Sequence, residues 1–348
     1  MSDVKHNCEK YHKTGQFSDV IQHVRRNAQF KGLDDNGEPI IDRSAVCPKI
    51  KFRGTVKLHG TNASVIQFED QAIYKQSKER ILCAEHDNYG FFALTANADV
   101  SSLLEQVKAR FVERTGLEVK YPVKIAGEWA GQGVQTGMGI SNYPKTFYTI
   151  GIKIGNNKED GYGWQPLEDY ADISIDGFVP ITNFPVYEVE VDFENPKDVQ
   201  NYLGELTLDV EKVCPVAAQL GTEGLGEGIV WTPVEQKYLC DTGMWFKVKG
   251  EKHSASKVKT LAAVDPAVLA SIKEFVEYAC TENRMNQAIQ EVGLDVKKTG
   301  EYIGWVNRDI AKEELHSLAA SGLTMKDVGS PISDKARRYY FEQINKAN

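Results

Sequence analysis

Residues 50–58 and 62–76 are rich in Val, Ile, Phe and Tyr with partial alternation of apolar and polar positions, and His59-Gly60-Thr61 parts the two runs. A period of two predicts two strands and a turn, with Lys57 at a strand end. From Asp99 to Thr115 the period changes. Val100, Leu103, Leu104, Val107, Phe111 and Val112 recur at helical spacing, with Asp99 as N-cap and Gly116 as stop. Strand-like stretches return at 121–131, 145–155, 185–193, 226–233 and 243–251, interrupted by a helical segment near 197–219. The first 253 residues therefore read as a mixed α+β body made largely of antiparallel strands.

After His253 the texture is helical. Asp265-Pro266 predicts a helix start with Leu269, Ile272, Phe275 and Val276 on one side, and 301–322 and 334–344 also carry helical patterns. We expect a domain boundary near 252–260, separating residues 1–253 from a smaller α-helical domain at 254–348; 348 residues exceed what one core usually supports. No apolar run is long enough to span a bilayer, and the N-terminal stretch MSDVKHNCEKYHKTG lacks a secretory apolar region, so a cytoplasmic protein is expected. Six scattered cysteines without metal-ligand spacing read as reduced packing residues. The formal net charge is -8, while basic and acidic residues balance from Ser254 onward. Any polyanion site must then be a local concentration of Lys and Arg.

Chemistry concentrates in five short motifs, each at a strand: KLHGTN (57–62), GEWAG (127–131), FYTIGI (147–152), EGIVW (227–231) and FKVK (246–249). A lysine before a turn is usually a solvated strand end, and a strand bearing lysines is commonly an exposed edge. Lys247 and Lys249 alternate, so both can face one side of a sheet. Glu128 and Glu227 sit on apolar runs, where a carboxylate is costly unless paired or metal-bound. The glycine-rich GTEGLGEG at 221–228 lacks a GK[ST] ending and precedes a strand, so it is a turn and no phosphate loop.

The order and wording of these motifs resemble the covalent nucleotidyltransferases, and within them the double-strand-type RNA ligases, those of the T4 RNA ligase 2 type. The resemblance covers roughly residues 50–250 and implies a nucleotidyltransferase fold, with ATP-grasp-like antiparallel sheets and flanking helices. It implies that Lys57 takes AMP from ATP as a lysyl-AMP phosphoramidate, which splits one hard displacement into easier steps. A free lysine is protonated near neutral pH, so neighbouring cations and restricted solvation are expected to favour its neutral amine. Lys247 and Lys249 would contact the ATP phosphates and help expel pyrophosphate. Glu128 would bind the ribose hydroxyls and Glu227 would hold Mg2+, with Mn2+ as a substitute. His59 and Asn62 would touch substrate or orient the loop beside the nucleophile, Asn62 meeting the nucleic-acid end during sealing.

Two positions depart from the family pattern. The phosphate-contacting arginine that normally follows motif I has two candidates in QSKERIL, Lys78 and Arg80; Arg80 is preferred because a lysine loses the bidentate fork. Where relatives place an aromatic ring on the purine, this chain has Ile150, and Phe147 reads as core.

These features predict an ATP-dependent RNA ligase acting on RNA with 5'-phosphate and 3'-hydroxyl ends, with a nicked duplex as the expected partner and a monomer as the expected state. A phage or bacterial RNA-repair setting follows from the resemblance. The helical tail would engage RNA, with Tyr302, Trp305, Tyr339 and Tyr340 either stacking bases or packing a core. The alternatives are a DNA ligase or GTP-using capping enzyme, which normally carry an OB-fold after the last motif, and a non-catalytic nucleic-acid-binding protein on the same fold.

Overall fold

A computed structural model describes residues 6–156, 160–250 and 272–347. In chain order the elements begin with α1 (Phe17–Gln29), an exposed hairpin of β1 (Phe30–Leu33) and β2 (Pro39–Ile41), then β3 (Lys49–Lys57), β4 (Thr61–Gln67) and β5 (Ile73–Ser77). Next come α2 (Phe91–Asn97), α3 (Val100–Thr115), β6 (Val123–Ala130), β7 (Thr146–Ile154), β8 (Gly163–Gln165), β9 (Phe178–Pro180) and β10 (Val186–Asp192). Then α4 (Gln200–Lys212), α5 (Pro215–Gln219), β11 (Gly228–Pro233), α6 (Gln236–Leu239) and β12 (Phe246–Lys249) complete this part. Among the described residues five α-helices follow: α7 (Ile272–Ala279), α8 (Glu282–Val292), α9 (Thr299–Glu313), α10 (Leu315–Ala320) and α11 (Met325–Ala347).

Two sheets carry the site. One has the order β10-β3-β11-β12, all antiparallel; the other has the order β5-β4-β6-β7-β8, with β9 parallel to β7. Alternation along β3 decides its faces. Ile50, Phe52 and Val56 are buried against α1 and α4 through Phe17, Val20, Leu203 and Val210, while Arg53, Thr55 and Lys57 turn to the opposite side. The second sheet is backed in the same way by α2 and α3, whose Phe91, Leu104, Val107 and Phe111 pack with Val65, Ile125 and Phe147. Each sheet thus keeps one face for helices and turns the other toward a cleft.

The stretch 62–76, read as one strand, is a hairpin of β4 and β5 turning at Phe68–Ala72. The helix at 100–115 is as the pattern requires: Asp99 accepts from the Ser102 amide and Gly116 closes it at φ 68. The helical segment at 197–219 is broken into α4 and α5, since Pro215 begins a new helix and cannot continue the old one. The expected boundary at 252–260 and the helix start at Asp265-Pro266 lie outside the described residues.

Helices α7 to α11 enclose a core of their own, centred on Tyr302 and Tyr340, fully buried and stacked at 4.1 Å. Those two rings are core, and base stacking by them is excluded by burial; Trp305 and Tyr339 pack against the same core. No helix among the described residues is long and apolar enough to cross a membrane.

Candidate active site

Strand pairing brings the motifs together. In the first sheet Gly228 of β11 lies opposite Lys57 on one side and Lys249 on the other, so the residue before it, Glu227, sits between two lysines. Its carboxylate is buried, and Oε2 accepts from Lys57 Nζ at 2.6 Å while Oε1 lies 3.1 Å from Lys249 Nζ. His59 Nδ1 stands 3.4 Å from Oε2. Burial alone would raise the Glu227 pKa, but Lys57 and Lys249 outweigh it and hold the carboxyl well below the usual range. Lys249 moves the opposite way: burial disfavours its charge, and the Glu227 carboxylate more than restores it, keeping the ammonium above its ordinary value.

Across the cleft, Asn62 of β4 faces Glu128 of β6. Asn62 Nδ2 donates to the Gly127 carbonyl at 3.3 Å, and the Gly60 amide donates to Glu128 Oε1 at 3.0 Å, so the HGTN turn is latched to the GEWAG strand. Burial is the largest influence on Glu128 and pushes its carboxyl up to about 7, with Lys57 opposing and Glu227 assisting. Gly60 is required at that latch, since a Cβ would lie 2.3 Å from the Trp129 carbonyl oxygen.

The cleft itself has a volume of about 400 Å³. Beyond Lys57 it is lined by Thr55, Val230, Ile150, Leu167 and Thr182, giving an apolar slot with a few hydroxyls. Ile150 lines it, whereas Phe147 is fully buried in the opposite core, as the alternation along β7 dictates. At the far end Arg53 pairs with Glu168 and Glu188. The phosphate-contact candidates separate: Lys78 lines the cleft and Arg80 is not among its lining residues, although the two share one turn, in which the Ser77 amide donates to the Arg80 carbonyl.

Lys247 occupies the mouth, where burial and the neighbouring Lys249 and Lys57 lower it to about 8 against the raising influence of Glu313. Glu313 belongs to α9, so the helical part reaches the cleft. Among the described residues no group of three or more His, Cys, Asp or Glu could hold a metal ion. The donor set is instead one buried carboxylate, Glu227, with Glu128 near it. That suits a hard cation that keeps most of its waters and draws other ligands from phosphates.

Several cleft residues carry no motif. The segment before α1 runs as a strap: Gly15 pairs with Phe246 beside β12, Glu9 takes Lys153 at 2.5 Å and accepts from buried Lys124, and Tyr11 and His12 pack on Trp164 and Trp245. Burial, with Lys124 and Lys153 nearby, pushes His12 down to about 4. Tyr11, His12, Lys13 and Thr14 thereby line the cleft, as do Arg53 and Lys312. The strap residues lie in no periodic pattern; only the crowding of Lys, His and Tyr at 10–13 hints at the strap.

Among solved structures, the chain is similar to a Naegleria gruberi RNA ligase lysine-to-alanine mutant with ATP and Mn, at 12% identity over 72% of this chain and 59% of that one, with a TM-score of 0.43. A lysine-to-methionine mutant of the same ligase with AMP and Mn matches at 12% identity, with the same coverage and a TM-score of 0.40. That ligase with PPi matches at 14% identity, 72% and 59% coverage and a TM-score of 0.40. The chain spans about three-fifths of the length of these structures. No curated protein matches it significantly. A sequence model of the RNA ligase family matches residues 50–249, more than half of the chain and the stretch from β3 to β12 that builds both sheets, and the chain accordingly belongs to the RNA ligase family.

Proposed function

We propose that this protein is an ATP-dependent RNA ligase of the T4 RNA ligase 2 type, acting through a lysyl-AMP intermediate. One observation carries the reading: Lys57, Lys249 and His59 converge on one buried carboxylate, Glu227, beside a cleft of about 400 Å³ that Lys57 itself lines. Binding alone gives no reason to bury a carboxylate among three nitrogen bases.

In this reading the base lies between Ile150 and Val230, and Glu128 accepts from the ribose hydroxyls. Lys57 Nζ, once its ammonium has lost a proton to solvent, attacks the α-phosphorus; the bond to the bridging oxygen breaks, pyrophosphate leaves, and the nitrogen gives up a second proton to become the phosphoramidate. Glu227, kept ionised, orients the Lys57 nitrogen by accepting its hydrogen bond. Lys247, Lys249 and Lys78 offset the negative charge of the displacement. The 5'-phosphate of an RNA end then attacks the phosphoramidate, breaking the nitrogen-phosphorus bond and freeing Lys57. A 3'-hydroxyl finally attacks the activated 5' end and AMP departs. Glu227 is the carboxylate that would hold Mg2+, or Mn2+ in its place, and a bound ion supplies positive charge against the phosphates. Nicked RNA duplex is the proposed substrate, RNA repair the proposed role, and helices α7 to α11 the proposed RNA-engaging part.

Intact-mass spectrometry after incubation with ATP and magnesium tests this. Wild type is expected to gain one AMP and Lys57→Ala none. An adduct that persists in Lys57→Ala overturns the assignment of the nucleophile, and an adduct with GTP but not ATP moves the protein to capping chemistry.

A further inference from the structure

The C-terminal end of α9 is built against the electrostatics of a helix. Partial negative charge gathers at a helix C-terminus and favours cations there, yet α9 ends on Glu313 and Glu314 follows it. Each carboxylate is held by groups from elsewhere. Glu314 is taken by Arg284 within the helical part, whereas Glu313 reaches the mouth of the cleft.

There it meets donors from the catalytic part. Gln16 Nε2 donates to Glu313 Oε2 at 3.1 Å and to the Glu313 carbonyl at 2.9 Å. Lys13 Nζ donates to the Lys312 carbonyl at 3.4 Å, and Lys247 Nζ stands 4.0 Å from Glu313 Oε2. The side chains of Lys247 and Glu313 are only 16% and 15% exposed, so the contact is largely shielded from water. Lys312 Nζ accompanies its neighbour at 3.4 Å. Three acceptors at one helix end thus fill a seat of two lysines and an amide, much as the oxygens of an anion would. Burial would raise the Glu313 carboxyl, but Lys247, Lys312, Gln16 and Lys13 outweigh it and hold it down to about 2.

The seat lies where a polyphosphate tail would run. Lys247 pairs with Val230, two residues along β12 from Lys249 and two rungs beyond the Lys57–Gly228–Lys249 row. That displacement is about 6.6 Å along a strand. Lys13 and Lys247 line the same cleft as Lys57, so the outer phosphates of a nucleotide whose α-phosphorus meets Lys57 come within reach of both.

We propose that Lys13, Gln16 and Lys247 form the seat of the β- and γ-phosphates of ATP, and that Glu313 fills it as a built-in competing anion, so that triphosphate binding and docking of the end of α9 exclude one another. This rests on the reading of the cleft as an ATP site. Its consequence is an order of events: loading the nucleotide frees the helical part from the mouth through which a nucleic-acid end must enter.

Two measurements on the full chain test it. In the first, the ATP concentration giving half-maximal AMP adduct is compared for wild type, Glu313→Gln and Lys13→Ala. Loss of the competing charge is expected to lower it roughly two- to fivefold and loss of the lysine to raise it by a similar factor, with AMP binding the same in all three because AMP lacks the outer phosphates. In the second, hydrogen exchange of the last turn of α9 is expected to rise with inorganic pyrophosphate and not with AMP. A Glu313→Gln half-saturation that is unchanged or higher overturns the proposal, as does α9 exchange that ignores pyrophosphate. If wild type forms no adduct with ATP, the ligase reading falls, and the pyrophosphate experiment alone decides whether the seat exists.

Discussion

Glu128 is the residue whose ionisation gives the site a pH signature. Its carboxyl is raised from 4.5 to about 7, so the folded state prefers the protonated form, and stability is lost as pH rises from 4.5 through about 7. Glu128→Gln removes that loss and can keep the Gly60 hydrogen bond through its amide oxygen. The variant is therefore expected to gain thermal stability over wild type at about pH 8 and little at about pH 5, and melts at the two values check it. Function should run the other way. A carboxylate accepts from ribose hydroxyls more strongly than an acid, so the ATP needed for half-maximal adduct is expected to fall in wild type as pH rises through about 7, and Glu128→Gln should lose that dependence.

At the scale of the element, the decisive piece is the central strand β11, which holds Lys57 and Lys249 on either side of Glu227. Gly228 makes that possible. Its φ is +148, and a Cβ there would lie 2.1 Å from the Val248 carbonyl oxygen. Gly228→Ala is expected to destabilise the protein by about 1–3 kcal/mol from backbone strain alone. Because the substitution pushes β11 off β12, it should also separate Glu227 from Lys249 and abolish the AMP adduct. Urea unfolding and intact mass measure the two effects; a variant that forms the adduct at the wild-type rate would show that the strand spacing is not critical. In the other sheet, the turn after β5 holds Lys78 and Arg80 two residues apart, and of the two only Lys78 lines the cleft.

For the molecule as a whole, the helical part is held by a buried guanidinium. Arg284 is fully buried, with Nε 2.9 Å from Asp309, an amino group 2.9 Å from Glu314, and a further bond to the Ala279 carbonyl. Breaking such a set leaves two carboxylates uncompensated at the end of α9. Arg284→Ala is expected to destabilise the helical part by about 3–5 kcal/mol, measured as an early unfolding transition followed by Trp305 in a variant whose other tryptophans are replaced by phenylalanine. The change should also disturb Glu313, one residue from Glu314. An unfolding curve that matches the parent's would mean that the core around Tyr302 and Tyr340 suffices without the ion pairs.

The sequence by itself determined the strands that carry the motifs and helix α3 with its caps, because periods of two and 3.6 and the residues at helix ends are local properties of the chain. It also determined which lysines and carboxylates to bring to the site, through short motifs set by strand and turn chemistry. It did not carry α1, whose four buried residues Phe17, Val20, Ile21 and Val24 form a short stripe without a start signal beyond Gln16 and Asp19. Nor did it carry the strap at 6–16, which has no period because it is held by side chains of both sheets. Tertiary structure alone decided that Glu227 sits between Lys57 and Lys249, that Lys78 and not Arg80 lines the cleft, and that Glu313 meets Lys247. Each pairs residues far apart in the chain, and such contacts depend on strand register and packing, which no local pattern encodes.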